Sequence, residues 1–315
     1  MADVRTAIDP TAKTSAYRFF IKLPDNRLGF GILHSLSYLQ RWSRPKGIDL
    51  QIVTLPNASL RVLVLRPKHS AGPLPMVLHL HGGGFAIGSP WQDLDLMARY
   101  IDARPAIFVA PAYRLALKAP YPAALEDAHT TLVWMYGQAK ALQGRDDQIF
   151  VMGESAGGGL TAALSLLARD RRSVAVAAQF ANYAMLSPTT KDDASCDPNA
   201  LSWSVEKNSL AWDWYLRGVS DPPPYYAVPT RAPSLKGLPP TYGFVGDHDL
   251  FLKQNVRFFD QLAEDGVTSD LRVFKGAYHG TELLAPDSDS GRAIWTHALE
   301  TYASVLEQHT GRQQS

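Results

Sequence analysis

Apolar residues along this chain fall into two alternating kinds of run. Short, β-prone blocks occupy residues 76–80, 106–110, 148–152, 175–181, 241–245 and 271–274. Between them, stretches with apolar positions at helical spacing cover 93–101, 122–138, 160–169, 252–264 and 291–307. Strand–helix alternation of this kind predicts an α/β fold, with a mostly parallel sheet covered by helices on both faces. Right-handed crossovers then bring the strand C-termini, and any site built there, to one edge. Two more β-prone runs, 49–55 and 59–65, flank Pro56-Asn57-Ala58 and read as a hairpin. Ahead of them, Tyr17-Arg-Phe-Phe-Ile-Lys and residues 28–42 read as helical. There Leu28, Phe30, Ile32, Leu33, Leu36, Leu39 and Trp42 are expected on one helical face.

One stretch breaks the alternation. Residues 187–234 are rich in Pro, Asp and Ser and carry Trp203, Trp212, Trp214, Tyr215, Tyr225 and Tyr226. An irregular insertion between two strands of such a sheet usually lies over the catalytic edge, and its aromatics could line an apolar pocket. Taken singly, each aromatic is expected to pack the insertion onto its base.

Two glycine-rich turns carry the chemistry. Gly153-Glu154-Ser155-Ala156-Gly157 follows a buried-strand run and precedes a small-residue helix. That Gly-x-Ser-x-Gly context places the serine on a sharp, strained strand-to-helix turn, with the free N–H groups of a helix N-terminus directed at it. Upstream, His81-Gly82-Gly83-Gly84-Phe85 follows another strand run. Successive glycines are costly in chain entropy, but they let bare backbone N–H groups approach a developing negative charge, as an oxyanion hole requires. A serine nucleophile also needs a base and an acid to orient it, in the order Ser…Asp/Glu…His. His279, after the run ending at Phe274 and a glycine turn, fits the base. The acid should follow the strand run 241–245, where Asp247 and Asp249 compete. His79 is expected in the surroundings of the sheet, His248 beside the acid and His309 in the tail.

Composition narrows the field. The chain has 315 residues, 46% of them hydrophobic, which is enough for one large domain or a domain plus insertion. A net charge of +1 without a basic cluster argues against nucleic acid and stable membrane association. No apolar run approaches the roughly 20 residues that span a bilayer, and the N-terminus lacks a signal-type apolar core. The single cysteine, Cys196, excludes an internal disulfide and fits a reducing compartment, so cytoplasm is the expected location. No metal-ligand, dinucleotide or P-loop pattern is present, and neither cofactor nor metal is expected.

His81-Gly-Gly-Gly84, Gly153-Glu-Ser-Ala-Gly157, Tyr113-Arg-Leu115 and Tyr278-His279-Gly280 together resemble the hormone-sensitive-lipase-like carboxylesterases of the α/β-hydrolase superfamily. The resemblance runs from about Val77 to Glu307. It implies an eight-stranded, mostly parallel sheet with a helical cap, and Ser155 as nucleophile, Asp249 as acid and His279 as base. It also implies the N–H groups of Gly83, Gly84 and Ala156 as the oxyanion hole, on a loop supported by His81 and Gly82. On this reading residues 1–48 are N-terminal cap helices, 49–186 and 235–315 the catalytic core, and 187–234 a cap insertion. Phe85, Trp203, Trp212 and Tyr215 become candidate pocket residues. Tyr226-Ala-Val-Pro and Ala285-Pro-Asp-Ser are most similar to fungal members. Three departures stand out: Glu154 where Asp is commoner, Leu250-Phe251 where many relatives have Pro-Leu, and Leu117-Lys118 for Pro-Glu.

The activity so implied is hydrolysis of short- to medium-chain carboxylic esters, with a small-molecule ester as the partner. The alternative is a biosynthetic acyltransferase or lactonase using the same triad on a specialised metabolite. A non-catalytic small-molecule receptor is disfavoured, since both Ser155 and His279 are present. Any homodimer would form through an edge strand or the last helix.

Overall fold

In the computed structural model, which describes residues 7–16, 18, 26–56, 59–70, 72–188 and 202–311, eight strands form one sheet. They are β1 (Ile48–Thr54), β2 (Arg61–Pro67), β3 (Leu74–Leu80), β4 (Ile107–Pro111), β5 (Gly144–Glu154), β6 (Ala178–Asn182), β7 (Thr241–Gly246) and β8 (Ser269–Phe274). Their order is β1-β2-β4-β3-β5-β6-β7-β8. The first two form the expected antiparallel hairpin, closed by Leu55 N–H to the Leu60 carbonyl at 2.8 Å. Asn57 and Ala58 of its turn, like Tyr17 and Cys196, lie outside the described residues. β2 also runs antiparallel to β4, and every pairing beyond β4 is parallel.

Side chains alternate between two cores. Met76, Leu78 and Leu80 of β3 and Ile149 and Val151 of β5 face helices Ala123–Gly137 and Ala156–Arg171. Val77, Phe150 and Met152 face helices Leu94–Ala103 and Asp289–Gly311 on the other side. With both faces covered, the central strands read in the sequence as solid apolar runs. A third cluster joins Phe258, Phe259 and Leu262 of helix Leu252–Glu264 to Ala162 and Leu166.

Element boundaries shift where tertiary pairing overrides the local pattern. β5 starts at Gly144 because Gly144 pairs with Leu74, ahead of the apolar run. The helix expected over 160–169 begins at Ala156, immediately after the serine turn. The insertion contains a regular helix, Val205–Tyr215.

The N-terminal region departs further. Helix Arg27–Leu36 is capped by the Asn26 side chain, which accepts from Leu28 and Gly29 N–H, and a 3₁₀ turn Leu39–Trp42 follows. Of the seven apolar residues expected on one face, only Phe30 and Leu33 are buried. Leu28, Leu39 and Trp42 are about 70% exposed (68, 70 and 74%), and Ile32 and Leu36 also face outward.

Phe108, on β4, is fully buried against Tyr100 and Tyr302. Phe108→Ala is expected to cost about 3–5 kcal/mol, read as a lowered denaturant midpoint with an unchanged slope.

Candidate active site

β5 runs straight into helix Ala156–Arg171 through Ser155, whose backbone sits at φ 57, ψ −118. Such a conformation costs about 1–3 kcal/mol and persists only where neighbours impose it. Ser155 N–H donates to the Asn182 carbonyl at 3.0 Å, and its own carbonyl accepts from Gly159 and Met185 N–H at 3.0 and 2.9 Å. A Cβ on Gly157 would overlap the Leu80 carbonyl oxygen, and one on Gly153 the Gly157 carbonyl. These two glycines are therefore set by close backbone approach between the turn and β3.

Facing the serine is His279, from the loop after β8. Its Nε2 lies 2.9 Å from Ser155 Oγ and its Nδ1 2.9 Å from Asp249 Oδ2. Asp249 Oδ1 takes the Phe251 N–H at 2.8 Å, and the side chain is 1% exposed. A carboxylate only accepts, so Nδ1 carries the imidazole proton and Nε2 is left to accept from the serine hydroxyl. Edges and faces of Tyr183 and Phe251 hold the ring, at centroid distances of 4.9 and 5.0 Å. Asp247 does not reach it. Its Oδ1 takes Gly276 N–H at 2.7 Å, anchoring the turn that leads to His279, with His248 at 3.8 Å.

The 81–84 loop passes beside this trio. Gly83 and Gly84 have φ +121 and +57, a region open to glycine and strained for other residues. A Cβ on Gly84 would enter the Trp203 ring, and one on Gly82 would sit 3.5 Å from Ser155 Cβ. Gly83 accepts from Ala86 and Ile87 N–H, yet among the described residues neither Gly83 nor Gly84 donates its own N–H to a backbone acceptor. Ala156 opens the helix. His81 steadies the loop: Nδ1 donates to the Gly82 carbonyl at 2.8 Å, and the ring stacks on Tyr113 at 4.1 Å. Tyr113 OH donates to the His81 carbonyl at 2.7 Å. Burial holds the His81 imidazole down to about 3, so it stays neutral at working pH. The candidate pocket aromatics also gather: Phe85 stacks on Tyr215 at 4.1 Å and meets Trp212 edge-on at 5.3 Å, while Trp203 lies 6.2 Å from His279.

Behind the serine lies a buried polar layer that sequence reasoning missed. His79, expected merely near the sheet, is fully buried with Nε2 2.8 Å from Glu154 Oε2, and Asn182 donates to Glu154 Oε1 at 3.2 Å. Asp93 lies 3.9 Å from the other nitrogen, Nδ1. The shortest carboxylate contacts fall on opposite ring nitrogens, and one ligand atom from each of His79, Asp93 and Glu154 lies within 4.8 Å of the others. Tyr183 OH donates to Glu282 Oε1 at 2.6 Å, on the turn following His279. The one signal available in the sequence was Glu154 inside the serine motif.

The model of a family described as "alpha/beta hydrolase fold" matches residues 77–283, the span that holds every group just described. The chain belongs to this family. It is 33% identical over 218 residues to carboxylesterase NlhH of Mycobacterium tuberculosis, covering 66% of each chain. With esterase LipI of the same species it shares 32% identity over 212 residues, 65% of each. The chain thus spans about two thirds of the length of these curated relatives. A solved structure of a bacterial heroin esterase superposes with a TM-score of 0.86 at 28% identity, over 95% of this chain and 98% of that one.

Burial raises Asp93 to about 7 and Glu282 to about 7. His79 is lowered by burial but raised by more through Glu154 and Asp93, so its net direction is up. All three bind protons more tightly folded than unfolded. For Asp93 and Glu282 the stabilisation is complete below the unfolded carboxylate range and lost as pH rises to about 7, whereas for His79 it is complete below 6.5 and lost only above that. Wild type minus Asp93→Asn isolates one of them from the histidines that shift the other way. The difference in unfolding midpoint should fall between about pH 4 and pH 7 and stay flat above it. A flat difference throughout would show that Asp93 does not titrate there.

Proposed function

We propose that this protein is a serine carboxylesterase acting on short- to medium-chain carboxylic esters through an acyl-enzyme. The observation that carries the reading is the unbroken line of hydrogen bonds from Asp249 through His279 to Ser155, beside a loop whose Gly83 and Gly84 N–H groups donate to no backbone acceptor among the described residues. Ser155 Oγ attacks the ester carbonyl as His279 Nε2 takes its proton. The tetrahedral oxyanion accepts from Gly83, Gly84 and Ala156 N–H. Collapse breaks the ester C–O bond, and the alcohol leaves with the proton from His279. A water, losing its proton to the same nitrogen, then releases the acid and restores Ser155. Asp249 keeps His279 in the required tautomer and offsets its transient positive charge.

Residues 1–48 and 187–234 are read as a cap over this site, and Phe85, Trp203, Trp212 and Tyr215 as walls of the acyl or alcohol pocket. Support comes from Trp203, which packs on Gly84 beside His279, and from Phe30 of the N-terminal helix, edge-on to Trp203 at 6.0 Å. The single cysteine supports a cytoplasmic setting. A fungal-type affiliation rests on Tyr226-Ala-Val-Pro and Ala285-Pro-Asp-Ser alone, whereas the relatives named above include mycobacterial esterases.

Steady-state and burst release of p-nitrophenol from acetate, butyrate, hexanoate and decanoate esters tests the proposal. Ser155→Ala is expected to lower kcat by about 10⁴-fold or more. Asp249→Asn should cost about 10⁴-fold through the wrong tautomer, and Asp247→Asn less than about tenfold, because its Oδ1 anchors the turn at Gly276 rather than the His279 imidazole. A burst without turnover would point instead to acyl transfer with water excluded. An inert wild type, or a larger loss at Asp247 than at Asp249, would overturn the assignment.

A further inference from the structure

The N-terminal helix shows two apolar faces where a soluble cap helix needs one. Phe30 and Leu33 face inward, and Phe30 meets Trp203 and Trp214 edge-on at 6.0 and 4.8 Å. On the outside, Leu28, Ile32 and Leu36 follow one another at four-residue spacing and form a continuous stripe. The following 3₁₀ turn extends it with Leu39 and Trp42, the two most exposed large apolar side chains of the group. Monomeric proteins rarely leave such a contiguous apolar strip in water without a use for it.

The charge around the stripe indicates what covers it. Residues 26–46 contain Arg27, Arg41, Arg44 and Lys46 and no Asp or Glu. The whole chain carries +1, so the remainder without these four cations carries −3. All four are exposed, and none forms an ion pair among the described residues. Arg41 lies over the Trp42 ring at 4.5 Å, a pairing of aromatic and cation suited to the depth where lipid headgroups begin. Among the described residues Asp95 takes a hydrogen bond from Gln40, and in sequence Asp25 and Asp49 flank the segment. Apolar side chains in one stripe with unpaired cations around them match an interfacial helix that lies in the plane of an anionic membrane. A second copy fits this charge poorly, because a symmetric contact would press two sets of four cations together.

We infer that the Leu28–Trp42 face docks this protein reversibly on anionic phospholipid surfaces, through the apolar stripe and its surrounding cations. This departs from the expectation of no membrane association, which rested on net charge and on the lack of a long apolar run; a locally basic, amphipathic face escapes both criteria. It is compatible with the absence, among the described residues, of any helix long and apolar enough to cross a membrane. The inward face of the same helix packs on Trp203, which touches Gly84, so docking sets the bilayer one helix away from the serine. Esters dissolved in the membrane would then be held near the site.

Vesicle sedimentation tests the inference independently of any esterase activity. The full chain is mixed with phosphatidylcholine vesicles, with and without phosphatidylglycerol, at low and high salt. Wild type should pellet with the anionic vesicles at low salt and be released by high salt. Leu39→Ser/Trp42→Ser and, separately, Arg41→Gln/Arg44→Gln should each reduce partitioning by about tenfold or more. Both should leave circular dichroism and turnover of a water-soluble ester unchanged. The inference is overturned if wild type stays in the supernatant at low salt, or if neither pair of substitutions alters sedimentation. It is also overturned if light scattering finds a dimer that Leu39→Ser/Trp42→Ser converts to monomer, since the stripe would then be a self-interface.

Discussion

The backbone at Ser155 is the constraint on which the rest of the site depends. Its φ of 57 and ψ of −118 are unfavourable for a residue with a side chain, and no local preference would hold them. They are held by a lattice of main-chain contacts: Asn182 and Met185 from the end of β6, Gly159 from the helix, and the β3 end at Leu80 pressed against Gly157. Each of these requires the parallel β3–β5–β6 register. The hydrophobic packing of two cores therefore stabilises a turn that would otherwise relax, and the turn lifts Oγ toward His279.

The same geometry explains the polar layer behind the turn. Glu154 is the last residue of β5 and points away from the solvent edge, so its carboxylate must be satisfied inside the protein. His79 from β3 and Asn182 from β6 do so from the two flanking strands. Loss of one partner would leave a buried charge unpaired directly beneath the serine. Tyr183 and Glu282 form a comparable pair on the far side of His279. The reacting groups are thus backed by His79 and Glu282, whose protonation is coupled to folding.

Most of this was legible in the sequence, for identifiable reasons. Buried parallel strands announce themselves as continuous apolar runs, and the glycines at 82–84, 153 and 157 are explained by close approach or by positive φ. Asp247 and Asp249 could not be separated by pattern, because both follow the same strand; only the fold shows one turned to His279 and the other to Gly276. His79 and Glu282 were missed because single polar residues inside or beside apolar runs carry no periodic signal. The N-terminal helix was misread for the opposite reason. Its apolar residues are too many for one face, and periodicity alone does not say which of two faces meets the core.

The most direct measurement of the central claim is covalent labelling of wild type by a fluorophosphonate, with the adduct located by peptide mass spectrometry. The account predicts a single stoichiometric adduct on Ser155, formed far more slowly in His279→Ala. Labelling of a different residue, or a Ser155 adduct whose rate is indifferent to His279, would contradict it.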